Sequence, residues 1–206
     1  MLDLGCGLGG PSRFLASTYG CHVIGVDLTP AFVDIATRLA HLTHLEDHVD
    51  YRQGDARAIP FVAASFDVVW SQNVAMNIAD RDRLYQEIHR VLRPGGKYAF
   101  SDVTSGAGGE PYFPMPWASD SGSSHLLSAD ATREALRRAG FAIAAWEDST
   151  AKSAAAAFER AQNAFLPPLG VHVLFGDNWA AVSANMLRNY QERRIGMLFG
   201  VAQRPV

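Results

Sequence analysis

The chain has 206 residues, 48% of them hydrophobic, with 18 basic against 21 acidic side chains and a net charge of −3. That length supports one domain with a sizeable core, and the interspersed charges leave no basic face for nucleic acid or an anionic membrane. Two cysteines, Cys6 and Cys21, exclude a disulfide framework and a zinc cluster and fit a reducing cytoplasm, while no apolar run is long enough to span a bilayer and no signal peptide or internal repeat is visible.

The first stretch, Met1-Leu-Asp-Leu-Gly-Cys-Gly-Leu-Gly-Gly10, reads as a buried strand running into a glycine turn. Pro11 then opens a helix over residues 11–19. Gly5, Gly7, Gly9 and Gly10 allow a ligand close to the backbone, and the helix start presents unpaired N–H groups beside it. The spacing Gly5-x-Gly7-x-x-Gly10 also satisfies the dinucleotide fingerprint. Asp3 argues against that alternative, because a carboxylate just before the turn repels a diphosphate and attracts an ammonium group.

Residues 21–27 form a short apolar strand ending in Asp27, placed to accept ribose hydroxyls, and Thr29-Pro30 starts the next helix. That helix, over residues 31–45, places Phe32, Ile35, Ala36, Leu39 and Leu42 on one apolar stripe expected to pack inward. His41, His44 and His48 lie nearby on a polar face without an accompanying carboxylate, so no metal site is expected. A third strand from Val49 runs out through Gly54-Asp55-Ala56. A fourth, 65–72, is continuously apolar, as in a parallel sheet, and delivers Gln72 to the carboxyl edge where such sheets bind ligands. Residues 71–77 are where an acceptor should meet a reactive group.

Asp80 caps a helix to Leu92, and Leu92-Arg-Pro-Gly-Gly-Lys97 ends it and launches a strand over 98–103. Residues 105–127, rich in glycine, proline and aromatics, are a long loop of the kind that is usually functional. Tyr112, Phe113, Met115 and Trp117 either wall a pocket there or pin the loop. Ser128 caps a helix to Ala139, Gly140 ends it, and residues 141–146 form a strand. The stretch 150–194 is helical apart from a break at 166–170, with Asn185, Arg188, Asn189 and Arg193 at helical spacing as polar groups that can face a pocket. Residues 195–203 then form a strand expected antiparallel at the sheet edge.

The ordered set Asp3, Gly5, Gly7 and Gly9, then Asp27, then Gly54-Asp55-Ala56, then residues 92–97 resembles the class I S-adenosylmethionine (SAM)-dependent methyltransferases over essentially the whole chain. Gly9-Gly-Pro-Ser-Arg13 and residues 185–193 resemble the sarcosine/dimethylglycine group within them. Residues 73–80 and the Arg-Pro-Gly-Gly run are similar to the ubiquinone/menaquinone relatives. The resemblance implies an α/β fold, a Rossmann-like doubly wound sheet, mostly parallel with an antiparallel last strand and helices on both faces. It implies a single domain over 1–206 with substrate-covering insertions at about 105–127 and 150–194. It also implies a few dozen residues upstream of the first strand, so the sequence reads as either truncated or begun at a misplaced start codon.

The cofactor implied is SAM, with S-adenosylhomocysteine as product. Asp3 and the turn (Gly5, Cys6, Gly7, Gly9) would hold the methionine part, Asp27 the ribose, Gly54, Asp55 and Ala56 the adenine, and Gln72 the methionine carboxylate or the substrate, with Leu28 a further cofactor-binding residue. The implied reaction moves a methyl group by in-line displacement to a small-molecule acceptor through nitrogen, oxygen or carbon. His125 and Tyr112 are the candidates for a base, because they lie in the substrate-side loop. The usual base-methylating signatures are missing, so the partner is a small molecule rather than nucleic acid or a membrane, with a homo-oligomer open. The competing readings are a catalytically silent SAM-binding module and a nicotinamide-dependent oxidoreductase, which lacks its Tyr-x-x-x-Lys pair here.

Overall fold

Short apolar runs punctuated by glycine, proline and capping residues produce alternating strands and helices. The computed structural model of the chain describes residues 1–162, 168 and 170–206. The elements are β1 (Leu2–Leu4), α1 (Gly10–Tyr19), β2 (Val23–Asp27), α2 (Pro30–Leu42), β3 (Val49–Gln53), β4 (Phe66–Gln72), α3 (Arg81–Val91), β5 (Leu92–Ser105), α4 (Ala129–Arg138), β6 (Ala142–Asp148), α5 (Thr150–Gln162), α6 (Val171–Phe175), α7 (Trp179–Gln191) and β7 (Ile195–Gln203). The helix break expected at 166–170 falls mostly on residues 166, 167 and 169, outside the described residues.

The seven strands form one sheet in the order β3-β2-β1-β4-β5-β7-β6. Strands β1 to β5 pair in parallel, and β7 is antiparallel to both β5 and β6. The last strand is therefore reversed as expected, but it is not at the edge. It inserts between β5 and β6 because it carries the stronger apolar run, with Ile195, Leu198 and Ala202 buried, whereas most of β6 is exposed and suits an outermost position.

One core lies between the sheet and α3 and α4, where Leu2, Leu4, Val69, Leu84, Ile88 and Leu136 pack with Tyr98, Phe100 and Phe141. The fully buried Tyr98 keeps its hydroxyl paired with Ser71 Oγ at 2.7 Å, which removes the cost of burying it. On the other face Ala16, Val23, Ala40 and Val49 join α1 and α2 to the sheet. Here the expected inward stripe of α2 is corrected. Ala36 and Ala40 are the buried positions, while Phe32, Ile35 and Leu42 are 40%, 42% and 75% exposed. Small side chains let this helix sit close on β2 and β3, which turns its larger apolar groups outward. A third cluster, Met76, Val103, Met115, Tyr190 and Ile195 with Phe113, Trp117, Phe158 and Met186, joins the 105–127 loop to α5 and α7 beyond the carboxyl ends of β4 and β5.

Candidate functional site

The chain reverses its winding direction at β1, so helices leave β1 and β4 on opposite faces and open a crevice at their carboxyl ends. A cleft of about 550 Å³ lies there, lined by the glycine turn, the tip of β2, the segment after β3, residues 73, 74 and 77–79, and His125. The turn hangs from β2, since the N–H groups of Gly5 and Cys6 both donate to Val26 O, at 2.7 and 3.1 Å. Gly5, Gly7 and Gly9 all have positive φ. Gly7 has nothing within 4 Å of where a Cβ would stand, so its face is open to the cleft. Gly5 and Gly9 are needed for the opposite reason: a Cβ would overlap Val74 in the first case and the Tyr51 ring and hydroxyl in the second.

The sequence-expected residues divide into those that line the cleft and those that support it. Gly5, Gly7, Asp27, Leu28, Gly54, Asp55 and Ala56 line it. Asp3 lies beneath, buried and accepting the Ser12 hydroxyl through Oδ2; burial pushes its carboxyl up to about 6. Cys6 is buried with its thiol pushed well above the ordinary range by desolvation, so it is a packing group rather than a nucleophile. Gly9 backs onto Tyr51, whose hydroxyl donates to Gly9 O at 3.1 Å. Gln72 is exposed and is not part of the cleft lining.

Asp27 ends β2 with both oxygens fixed: Oδ2 accepts Gly7 N–H at 2.8 Å and Oδ1 accepts Thr29 N–H at 2.9 Å. Each oxygen retains a second lone pair for a diol. Leu28, 63% exposed, and Phe32 flank the cleft beside it, an apolar platform suited to a flat heterocycle. Asp55 is gripped by Arg57, whose Nη2 lies 2.7 Å from Oδ2, and this pairing holds its carboxyl below the ordinary range. Arg57, which also lines the cleft, must share Asp55 with any amino group placed there.

On the opposite side, residues 73, 74 and 77–79 and His125 close the cleft. Asn73 takes a left-handed conformation with its N–H donating to Ser101 O at 2.8 Å. Among the expected base candidates, His125 is brought to the cleft; its N–H donates to Met76 O at 2.8 Å and its carbonyl accepts Arg81 Nη2 at 2.9 Å. Tyr112 is held elsewhere. Its ring lies between the guanidinium groups of Arg188 and Arg194, 3.7 and 4.2 Å from the ring centre, and its hydroxyl donates to Glu192 at 3.1 Å.

The polar face of α7 pins the loop instead of meeting the cleft. Asn185 donates to Pro114 O at 3.1 Å, and Asn189 exchanges bonds with both backbone groups of Tyr112. Phe113, Met115 and Trp117 pack into the third cluster and fasten the loop, and Phe113 also lines a second pocket of about 350 Å³ within it. Sequence reading passed over Phe32, Arg57, Val74 and Asn77 as individual lining residues, and Asp102 altogether. A lone acid in the apolar run 98–103 was the only available signal for Asp102.

Residues 2–100 match the family profile described as a methyltransferase domain. Over these residues, just under half of the chain, the sequence is similar to methyltransferase domains. The chain is 38% identical over 102 residues to a glycine/sarcosine/dimethylglycine N-methyltransferase of Actinopolyspora halophila, covering 50% of this chain and 18% of that protein. It is 33% identical over 151 residues to the 27-O-demethylrifamycin SV methyltransferase of Amycolatopsis mediterranei, covering 72% and 56%. The chain thus spans little more than half, or less, of these relatives. Among solved structures, a Haemonchus contortus phosphoethanolamine N-methyltransferase in complex with phosphomonomethylethanolamine and S-adenosylhomocysteine is 26% identical with a TM-score of 0.82, over 100% of this chain and 49% of that one. No helix among the described residues is long and apolar enough to cross a membrane.

Proposed function

We propose that the chain is a SAM-dependent methyltransferase acting on a small-molecule acceptor with a nitrogen, oxygen or carbon nucleophile. The observation that carries this reading is Asp27, clamped by the glycine turn at 2.8 Å with free lone pairs facing a cleft that Gly7 leaves open and Leu28 and Phe32 line with apolar surface. Those features fit a nucleoside with a short amino-acid tail. They disfavour a dinucleotide, because the carboxylate of Asp3 lies under the turn where a diphosphate would sit. Bound there, SAM supplies a sulfonium methyl and a neutral thioether leaving group.

The chain's own residues then supply alignment and shelter. Asp27 holds the ribose, Leu28 and Phe32 flank the adenine, and residues 54–56 meet its edge, with Asp55 shared between the ligand and Arg57. Asp3 lends negative potential to the side of the turn where an ammonium group lies. Residues 73–77 and His125 hold the acceptor opposite, and the packed loop 105–127 keeps water from that end. His125 is the residue placed to accept a proton where the acceptor needs a base. A cytoplasmic location belongs to the same reading, supported by Cys6 and Cys21 as free thiols.

Calorimetric titration with S-adenosylhomocysteine, using NAD as the control ligand, tests the proposal. Micromolar or tighter S-adenosylhomocysteine binding is expected, and Asp27→Ala should weaken it by about ten- to a hundredfold, the worth of a charged hydrogen bond. Binding of NAD instead, or an Asp27→Ala affinity equal to wild type, would overturn it.

A further inference from the structure

We infer that Asp102 is a positioning residue which sets the wall of the cleft facing the glycine turn, acting through the backbone of Val74 and Ala75. The inference rests on the reading of the cleft as the SAM site. Asp102 is only 4% exposed on β5. Its Oδ1 accepts the N–H groups of Val74 at 3.0 Å and Ala75 at 3.1 Å, at the start of the tight turn Ala75–Asn77. A carboxylate oxygen accepting two amide hydrogens away from water makes strong, directional bonds.

Val74 carries that constraint to the ligand. It lines the cleft, and its side chain lies so close over Gly5 that a Cβ there would overlap it. Asp102 therefore fixes the gap between the first glycine of the turn and the facing wall, the part of the cleft that takes the amino-acid tail. The far end of the same wall is held by a buried cation. Arg81 donates to Ile78 O at 3.0 Å and to His125 O at 2.9 Å, so the wall hangs between an anion and a cation, neither of which lines the cleft. Oδ2 of Asp102 has no partner among the described residues. Only Oδ1 is engaged, so a side chain that keeps that one oxygen preserves the contact.

The test compares wild type, Asp102→Ala and Asp102→Asn by titration with S-adenosylhomocysteine and with 5′-methylthioadenosine, which keeps the adenosine and sulfur but lacks the amino-acid tail. Asp102→Ala is expected to lose at least tenfold in affinity for S-adenosylhomocysteine and less than threefold for methylthioadenosine. Asp102→Asn is expected to recover most of that loss. An equal loss for both ligands, no loss in a folded Asp102→Ala, or an Asn variant as impaired as the Ala variant overturns the inference. Should Asp102→Ala fail to fold, Val74→Ala must show the same tail-selective loss, and a uniform loss or none there overturns it equally. A wild-type chain that binds neither ligand sinks the cofactor reading and this inference together, whereas wild-type binding with the wrong variant pattern sinks this one alone.

Discussion

Asp3 shows how one side chain can lose stability in order to place charge. Burial pushes its carboxyl up to about 6, with Ser12 pulling it down and Asp27 adding to the rise. The folded chain then holds the proton more tightly than the unfolded chain, so between about pH 4 and pH 6 folding favours the protonated form. Its contribution to stability is greatest below that window, falls as pH rises through it, and is level above. In urea unfolding, the free-energy gap between Asp3→Asn and wild type should move in the variant's favour by about 2–3 kcal/mol from pH 4 to pH 7. A gap that stays constant with pH would overturn this. Gly9 offers a second test at this scale. Gly9→Ala carries both a left-handed φ of 72° and an overlap with Tyr51, and Tyr51→Ala in the same chain relieves only the overlap. Thermal melts of the two single variants and the double should be non-additive, leaving about 1 kcal/mol from the backbone.

Among the elements, α3 begins where its sequence says it should. Asp80 Oδ1 accepts Arg83 N–H at 3.0 Å, satisfying one of the helix's orphan donors. Asp80→Ala is expected to cost about 1 kcal/mol and lower the melting temperature by about 2–4 °C in a chain of this size, read by circular dichroism. Caps of this kind were legible because donor and acceptor are three residues apart. The inward face of α2 was not legible, because periodicity marks an apolar stripe without saying whether a bulky or a small side of the helix meets the sheet. The sheet's demand for close approach chose Ala36 and Ala40 and left Phe32 to line the cleft.

For the whole molecule, the decisive joint is between the 105–127 loop and α7, elements far apart in the chain. Asn189 is fully buried; it accepts Tyr112 N–H at 2.8 Å and donates to Tyr112 O at 3.0 Å. Asn189→Leu leaves both backbone groups of the half-buried Tyr112 without these partners, which should cost about 2–4 kcal/mol. Limited proteolysis should then cut first within residues 105–127, and a cleavage rate equal to wild type would show that the joint does not hold the loop. Local sequence was enough for the glycine turn, the acid ending β2, the caps at Asp80 and Ser128 and the order of strands and helices, whereas Thr29 precedes α2 without a side-chain cap bond. Each of the former follows from φ, hydrogen bonding or periodicity within a few residues. Tertiary structure alone decided that β7 enters between β5 and β6, that Tyr112 is captured by Arg188, Arg194 and Glu192 instead of meeting the cleft, and that Asp102 holds the backbone of Val74. Those pairings span from 28 residues to more than 70, and only the strand order brings their partners within reach.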